Sequence, residues 1–511
     1  MNERPELRSR RELTLVALAV VVCALARIGY LVSSRAEFNA DEATTGIMVR
    51  NILHGQTYVF FPGQHYGGTF EAYLQAGVYL ILRLPQNPFT LRLVLVVLSM
   101  GTCVAAYLIG RRLLSSSAQA ILAAFVYAVS PWFNVIGSAT SLGFYVVGQL
   151  LPMVAIYCTL RLDGSRPDWG WSIAAGVAWG LALWTTIATV YFLVPVAIWL
   201  APVAGRSLRV LLGSVGGLVV GGLPLWWWLA VNRRLPLPPD PIRHTTVPQR
   251  LGNLFDPVLR EYIGVAYPHA RGDVPVLVQF ALLVALLVWY ASAIWRRRRG
   301  LLNLIRFRGD GVRPGDVLLA VPFVVVIAYA ASTSTWYTGT PRYLYTTYPL
   351  FAIAIGSLAA RRSVRWPLVA GSLIVAVSAA LSLRGVWGPA TDPSVAEQSR
   401  VFAEVGRHLQ AEGELYVWAD YWTAMPLQYY ADGRVTVAVA VGSYRFTASQ
   451  DVVAAHRPSV FVSSPLDGGS DPIASALRNH HVTYRATTIG FVTIYDQLPA
   501  GLSARDIGLN R

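Results

Sequence analysis

Asp41 and Glu42 stand side by side in FNADEATTG, directly after about 20 mostly apolar residues. Adjacent carboxylates in that place serve either as proton acceptors or as helix-start acids that favour the N-terminal dipole. The same stretch continues into GQHYGGTFEAYLQA, which supplies His65, Tyr66 and Glu71. His65 and Tyr66 are either substrate contacts or ordinary interfacial residues. Glu71, an acid on an otherwise apolar helical stretch, is either an acceptor or metal contact or part of a solvated face. A third group lies in TSTWYTGTPRYLYTTYPL, where Arg342 and Tyr343 open an apolar run. Arg342 can bind phosphate oxygens with two parallel bonds; otherwise it snorkels beside an aromatic belt. Arg27, inside the first apolar run, is a second arginine candidate. Arg243, His244, Asp256, Glu261 and Asp273 add charge between 231 and 273 without a recognisable ligand spacing, and suit an acceptor cleft.

The elements that must position these residues are set by composition. The chain has 511 residues, 54% hydrophobic and 14% charged, with a mean hydropathy of +0.47. That is too apolar for a water-soluble chain of this length and indicates a polytopic α-helical membrane protein. A net charge of +15 would suggest nucleic acid in a soluble chain, but here the arginines cluster between apolar segments, so nucleic acid is excluded as a partner. Cys23, Cys103 and Cys158 all fall in apolar runs, which supports neither disulfides nor a thiolate metal site. A bilayer core of roughly 30 Å needs about 20 apolar residues per helix. That ruler predicts 11 spans, near 12–33, 88–110, 118–134, 142–161, 170–186, 188–204, 209–230, 274–295, 315–332, 343–360 and 366–384. The first reads as an uncleaved signal anchor, being long and without a convincing small-residue cleavage site.

If the spans alternate, Arg8 to Arg11, Arg111 and Arg112, Arg161 and Arg166, Arg206 and Arg209, Arg296 to Arg299, and Arg361 to Arg365 fall on one side, the cytoplasm. Residues 34–87, 231–273, 333–342 and the tail then lie outside, with Asp41 at the outer surface. The loop 34–87 predicts helices along the membrane surface, with turns at His54-Gly55 and near Pro62-Gly63. Residues 1–389 therefore form a transmembrane domain, and 390–511 a separate extracytoplasmic α/β domain. In the latter, β-rich runs at 414–419, 434–441, 459–464 and 490–496 alternate with helix-compatible stretches such as 395–411 and 471–479. GVWGPATDP marks the boundary, and no phosphate-binding glycine loop follows a strand.

The acid pair after the first span, the surface helices, GQHYGGTFEAYLQA and the LRL entry into the second span resemble the glycosyltransferase C superfamily. The resemblance extends to the bacterial branch related to protein O-mannosyltransferases and aminoarabinose transferases. It covers the topology of residues 1–384, with motifs confined to 38–92 and 336–350. It implies a GT-C-like fold, a polyprenyl-phosphate sugar donor and an extracytoplasmic glycan, lipid or protein acceptor. By the same resemblance Asp41 is the catalytic base with Glu42 beside it, Arg342 and Tyr343 bind donor phosphate, and the tail corresponds to the domain some relatives carry after their last helix. One departure concerns metal: metal-dependent relatives place a further acid in the second outer loop, where NVIGSATS has none. Asp41, Glu42 and Glu71 would still offer oxygen ligands to Mg²⁺ or Mn²⁺. The competing function class is a transporter or flippase of lipid-linked precursors, or a noncatalytic scaffold. Transporters concentrate polar sites at the bilayer midplane, whereas this chain concentrates its acids in an outer loop.

Overall fold

The computed structural model describes residues 9–33, 37–162, 168–236, 245–265, 275–308, 312–332, 341–358, 393–456, 460–464 and 471–509. Helix α1 (Arg10–Leu31) starts where the Ser9 side chain accepts from the Glu12 amide. Helix α2 (Ala40–Leu53) starts at Asn39, which caps it through the Glu42 amide, so Asp41 and Glu42 occupy its first turn. A short antiparallel hairpin follows, β1 (Phe60–Phe61) and β2 (Gln64–Gly68), then α3 (Phe70–Leu82). The hairpin places strands where sequence predicts only a turn.

The membrane-type body continues with α4 (Pro88–Leu113), α5 (Ser117–Ala128), α6 (Trp132–Gly137), α7 (Tyr145–Leu160), α8 (Trp169–Thr185) and α9 (Val190–Arg206). After these come α10 (Leu208–Gly221), α11 (Leu223–Asn232), α12 (Val247–Asn253), α13 (Leu259–Tyr262), α14 (Val276–Ile305), α15 (Pro314–Ala331) and α16 (Tyr348–Leu358). Helices thus occupy the predicted windows as far as 343–360; the window 366–384 lies outside the described residues. Four described helices are long and apolar enough to cross a membrane, five if α10 and α11 form one span. Leu277 on α14 is 82% exposed, and Val288 and Trp295 are also exposed. In water that apolar face would be costly; against lipid chains it is matched.

Two details differ from a set of straight spans. The window 209–230 is bent by 68° between α10 and α11, because Gly221, Gly222 and Pro224 interrupt the backbone ladder. Helix α14 runs past its apolar segment through Arg296 to Arg299, where Arg297 pairs with Asp316 in the first turn of α15. Close packing of α8 on α10 comes from facing glycines. A Cβ on Gly176 would stand 2.2 Å from the Ser214 carbonyl oxygen, and one on Gly221 2.2 Å from that of Val177. Such small residues let membrane helices approach by their backbones.

The tail forms α17 (Val395–Ala411), β3 (Tyr416–Asp420), α18 (Tyr421–Tyr430), β4 (Thr436–Val441), α19 (Thr447–His456), β5 (Phe461–Ser463), α20 (Pro472–Asn479), β6 (Arg485–Ile489) and β7 (Val492–Asp496). Its five-stranded sheet has the order β4-β3-β5-β7-β6, with β3 parallel to β4 and β5 and the remaining pairs antiparallel. The four predicted β-runs are strands. Strand β6 and helices α18 and α19 are additions, β6 a polar, largely exposed edge and α18 an aromatic stretch with an internal proline. The layer shares a core with the first loop. Phe38, Ala43 and Met48 pack with Tyr421, Met425 and Tyr429, and the rings of Phe38 and Tyr429 lie 4.9 Å apart.

Candidate active site

The site assembles where α2, the hairpin and the C-terminal sheet meet. Strand β3 ends at Asp420, whose carboxylate caps α18 through the amides of Trp422 and Thr423. That turn presents Tyr421. Arg445 lies beyond the end of β4, after Gly442 at φ 106°, a conformation that favours glycine. A Cβ on Gly442 would also come within 2.8 Å of the Tyr421 Cβ. Both side chains therefore sit beyond the carboxyl ends of adjacent parallel strands, the edge at which open α/β sheets bind ligands.

Asp41 receives both. Arg445 donates Nη2 to Asp41 Oδ1 at 2.8 Å, and the Tyr421 hydroxyl donates to the same oxygen. Oδ2 takes part in neither bond. Arg445 is itself fixed by Nε donation to the Tyr421 oxygen at 2.9 Å and Nη1 donation to the Pro62 carbonyl at 3.3 Å. With its amide oxygen turned toward the guanidinium, Gln64 accepts at 2.8 and 3.0 Å. The Phe61 ring lies 5.2 Å from the guanidinium carbon and the Tyr421 ring 4.9 Å. Burial and the Asp41 charge raise the Tyr421 pKa, so its phenol remains protonated and donates.

Glu42, placed in the catalytic pair at the sequence level, turns away from Asp41 because neighbours on a helix do not share a face. Its carboxylate is fully buried. Arg92 donates Nε at 2.9 Å and forms a second bond through Nη2, and the Ser141 amide donates at 2.9 Å. This buried pair locks α2 to α4; removal of one partner from such a pair costs about 3–5 kcal/mol. Glu71 is also fully buried, which overturns the solvated-face reading. It accepts from the Ser141 hydroxyl at 2.9 Å. Burial pushes its pKa up to about 7, against the hydrogen bonds from Ser141 and Gly143. Glu42 is thus paired with Arg92 and Asp41 with Arg445. Among the described residues no three His, Cys, Asp or Glu side chains are grouped to hold a metal.

Arg342 opens a 3₁₀ turn, Pro341–Thr347, and donates Nε to the Tyr145 hydroxyl, its guanidinium carbon lying 5.4 Å from that ring. Although burial opposes its charge, Tyr145, Asp41 and Tyr66 raise its pKa. The Asp41 charge thus acts on Arg342. Tyr66 packs edge-on against Phe144 and lines an apolar cavity of about 170 Å³ with Phe60, Trp184, Leu225, Trp226 and Leu229. His65 is exposed and lies over Trp228 of α11, ring centroids 5.8 Å apart, with its pKa lowered by burial and then by Arg234. Arg27 is not a donor ligand: it is fully buried, bonded to Ser138 at 2.9 Å and to the Ala128 carbonyl at 3.1 Å. Arg243, His244 and the Tyr343 side chain lie outside the described residues. Sequence reasoning misses Arg445, Tyr421 and Arg92. Only Arg92 carries a local signal, as a charge inside an apolar span that requires a partner.

Residues 69–228 match the family model for dolichyl-phosphate-mannose-protein mannosyltransferase. No curated protein matches the chain in sequence. Among solved structures, the oligosaccharyltransferase AglB from Archaeoglobus fulgidus, in complex with an inhibitory peptide and a dolichol-phosphate, gives a TM-score of 0.52. Identity to it is 13%, over 96% of this chain and 74% of AglB. The mycobacterial arabinofuranosyltransferase AftD gives 0.53 at 13% identity, over 96% of this chain but only 40% of AftD. ArnT from Cupriavidus metallidurans, bound to undecaprenyl phosphate, aligns over 98% of both chains at 14% identity with a TM-score of 0.46. The family model thus covers the mannosyltransferase-type segment at 69–228, and the likeness to AglB and AftD shows a shared fold over nearly the whole chain.

Proposed function

We propose that the protein transfers a sugar from a polyprenyl-phosphate donor to the hydroxyl of an extracytoplasmic acceptor, a glycan, lipid or protein, with Asp41 as general base. The observation that carries this reading is the Asp41 carboxylate, held among the described residues through Oδ1 on the first loop and within electrostatic reach of Arg342. A lipid-phosphate sugar keeps its chain in the bilayer and its anomeric carbon at the interface. The acceptor hydroxyl must therefore be activated at that depth. In the proposed step Asp41 Oδ2 takes the hydroxyl proton while the acceptor oxygen bonds to the anomeric carbon. The bond from that carbon to the phosphate oxygen breaks, and polyprenyl phosphate leaves with the electron pair. Attack from the face opposite the leaving group gives inversion. The phosphate needs positive charge more than a proton, which suits Arg342, and the apolar cavity beside Tyr66 suits the first units of the lipid chain.

The test is incubation of purified protein with a panel of polyprenyl-phosphate sugars and candidate acceptors, followed by mass spectrometry. Asp41→Asn keeps size and some hydrogen bonding but lacks a basic carboxylate. It should bind donor and lose roughly 10² to 10⁴ in turnover. Near-normal turnover in this variant would leave FNADE as a helix cap, and movement of intact lipid without sugar transfer would favour a transporter.

A further inference from the structure

We infer that Arg445 and Tyr421 of the C-terminal layer are positioning residues for Asp41, so that the catalytic site is completed by the tail and not by the membrane body alone. This rests on the reading of Asp41 as the base. A carboxylate that accepts a proton works best when one oxygen faces the proton and the other is held. Here Oδ1 receives Arg445 Nη2 and the Tyr421 hydroxyl, and Oδ2 receives neither. The holding groups are themselves rigid. Arg445 is bonded to Tyr421 and to the Pro62 carbonyl and lies between the Phe61 and Tyr421 rings. Arg445 is 6% exposed and Tyr421 5%, so both donors are shielded from water, while the Asp41 side chain keeps 15% exposure.

The surrounding backbone supports the same arrangement. Gly63, at the hairpin tip, has φ 72°, and a Cβ there would stand 2.5 Å from the Tyr444 carbonyl oxygen. The hairpin thus sits directly on the strand-end loop that carries Arg445. On the other flank, Gly46 of α2 lies against the Tyr429 ring, where a Cβ would be 2.5 Å away. Arg50 pairs with Asp432 at 3.0 Å. Three contacts separate from the Asp41 bonds therefore set the distance between α2 and the sheet edge. A helix cap alone would not require an arginine and a tyrosine from a sheet more than 300 residues away to meet on one oxygen.

The experiment measures kcat and KM for Tyr421→Phe, Arg445→Lys and Arg445→Ala in the full-length protein. Each is also combined with Asp41→Asn. Tyr421→Phe removes one hydroxyl and keeps the ring, so it carries the test even where Arg445→Ala does not fold. Hydrogen bonds to charged groups contribute about 1.5–3 kcal/mol. The expected result is a kcat lowered roughly 10- to 100-fold with both KM values within about twofold of wild type. In the Asp41→Asn background the same substitutions should cost nothing further, and millimolar guanidinium should partly restore Arg445→Ala. A purely structural role predicts multiplicative losses and no rescue. Unchanged kcat in Tyr421→Phe and Arg445→Lys, or losses that multiply with Asp41→Asn, would remove both residues from the site while leaving the base intact. Near-normal turnover of Asp41→Asn itself would sink the base and its positioning residues together.

Discussion

At the scale of residues, the structure gives Asp41, Glu42, Glu71 and Arg342 different surroundings. Asp41, 15% exposed, meets the buried Arg445, and Glu42 is consumed by Arg92 in the interior. Arg342 is proposed as the phosphate ligand because its guanidinium, on the turn before α16, feels the Asp41 charge and can bind phosphate with two parallel bonds. Arg342→Lys keeps the charge and loses the two-pronged geometry. Donor KM should rise about 10-fold or more, with insertion and acceptor KM unchanged; unaltered donor kinetics in both Lys and Ala variants would return Arg342 to a membrane anchor. Glu71 gives a prediction in pH. Its pKa is raised from 4.5 to about 7 in the folded protein, so the folded state binds the proton more tightly than the unfolded state. Stability is therefore present below about pH 4.5 and is lost as pH rises toward 7, by about 3 kcal/mol at most. Glu71→Gln, neutral at every pH, should flatten the thermal-melting profile across that window. A wild-type melting temperature that rises between pH 5 and 7 for reasons abolished by this substitution would contradict the argument.

At the scale of elements, helix packing depends on positions where a single added carbon has nowhere to go. Gly176 of α8 faces the α10 backbone, where nothing flexible can move aside. Gly176→Leu should cost roughly 1–3 kcal/mol or more, seen as lower melting temperature and yield in detergent. Gly77 of α3 has open space around its Cβ direction, and Gly77→Ala should be neutral or stabilising by roughly 0.5–1 kcal/mol. Equal tolerance of both substitutions would show that α8 and α10 are not held by backbone contact. The break at Gly222 belongs to the same scale. The Trp226 indole donates to the Leu218 carbonyl at 3.3 Å, which also accepts the Gly222 amide at 3.0 Å, so this side chain ties α11 back to the last turn of α10 across the bend.

For the whole molecule, the membrane body and the C-terminal layer share the site and a core. A fragment of residues 390–511 has strands and helices enough to fold, but it would expose Tyr421, Met425 and Tyr429, which pack on α2 in the full chain. Expressed alone it should lack transferase activity and self-associate or bind a hydrophobic dye. A monodisperse, dye-silent fragment would show that the shared core is dispensable, and any transferase activity in it would overturn the assignment of Asp41. Conversely, a chain truncated before 390 should insert and fail to turn over, since Asp41 would lose Arg445 and Tyr421.

The sequence alone determined the membrane class, the helix windows that fall within the described residues and the place of Asp41 on the first loop, because each is a local property of composition, of run length or of where an apolar stretch ends. The α/β character of the tail was legible for the same reason, in short β-rich runs between helical stretches. The cation opposite Asp41 was not. Sequence reasoning asks for an arginine there and selects Arg342, whereas Arg445 makes the direct contact from 404 residues away. Nothing in SYRFT distinguishes that arginine from a solvated one, since its role depends on which sheet edge packs on which helix. Likewise, Glu42 and Glu71 read as outer-loop acids until the Arg92 pair and the Ser141 bonds place them inside. Burial of a charge is decided by what surrounds it from distant parts of the chain, and only the tertiary structure brings those parts together.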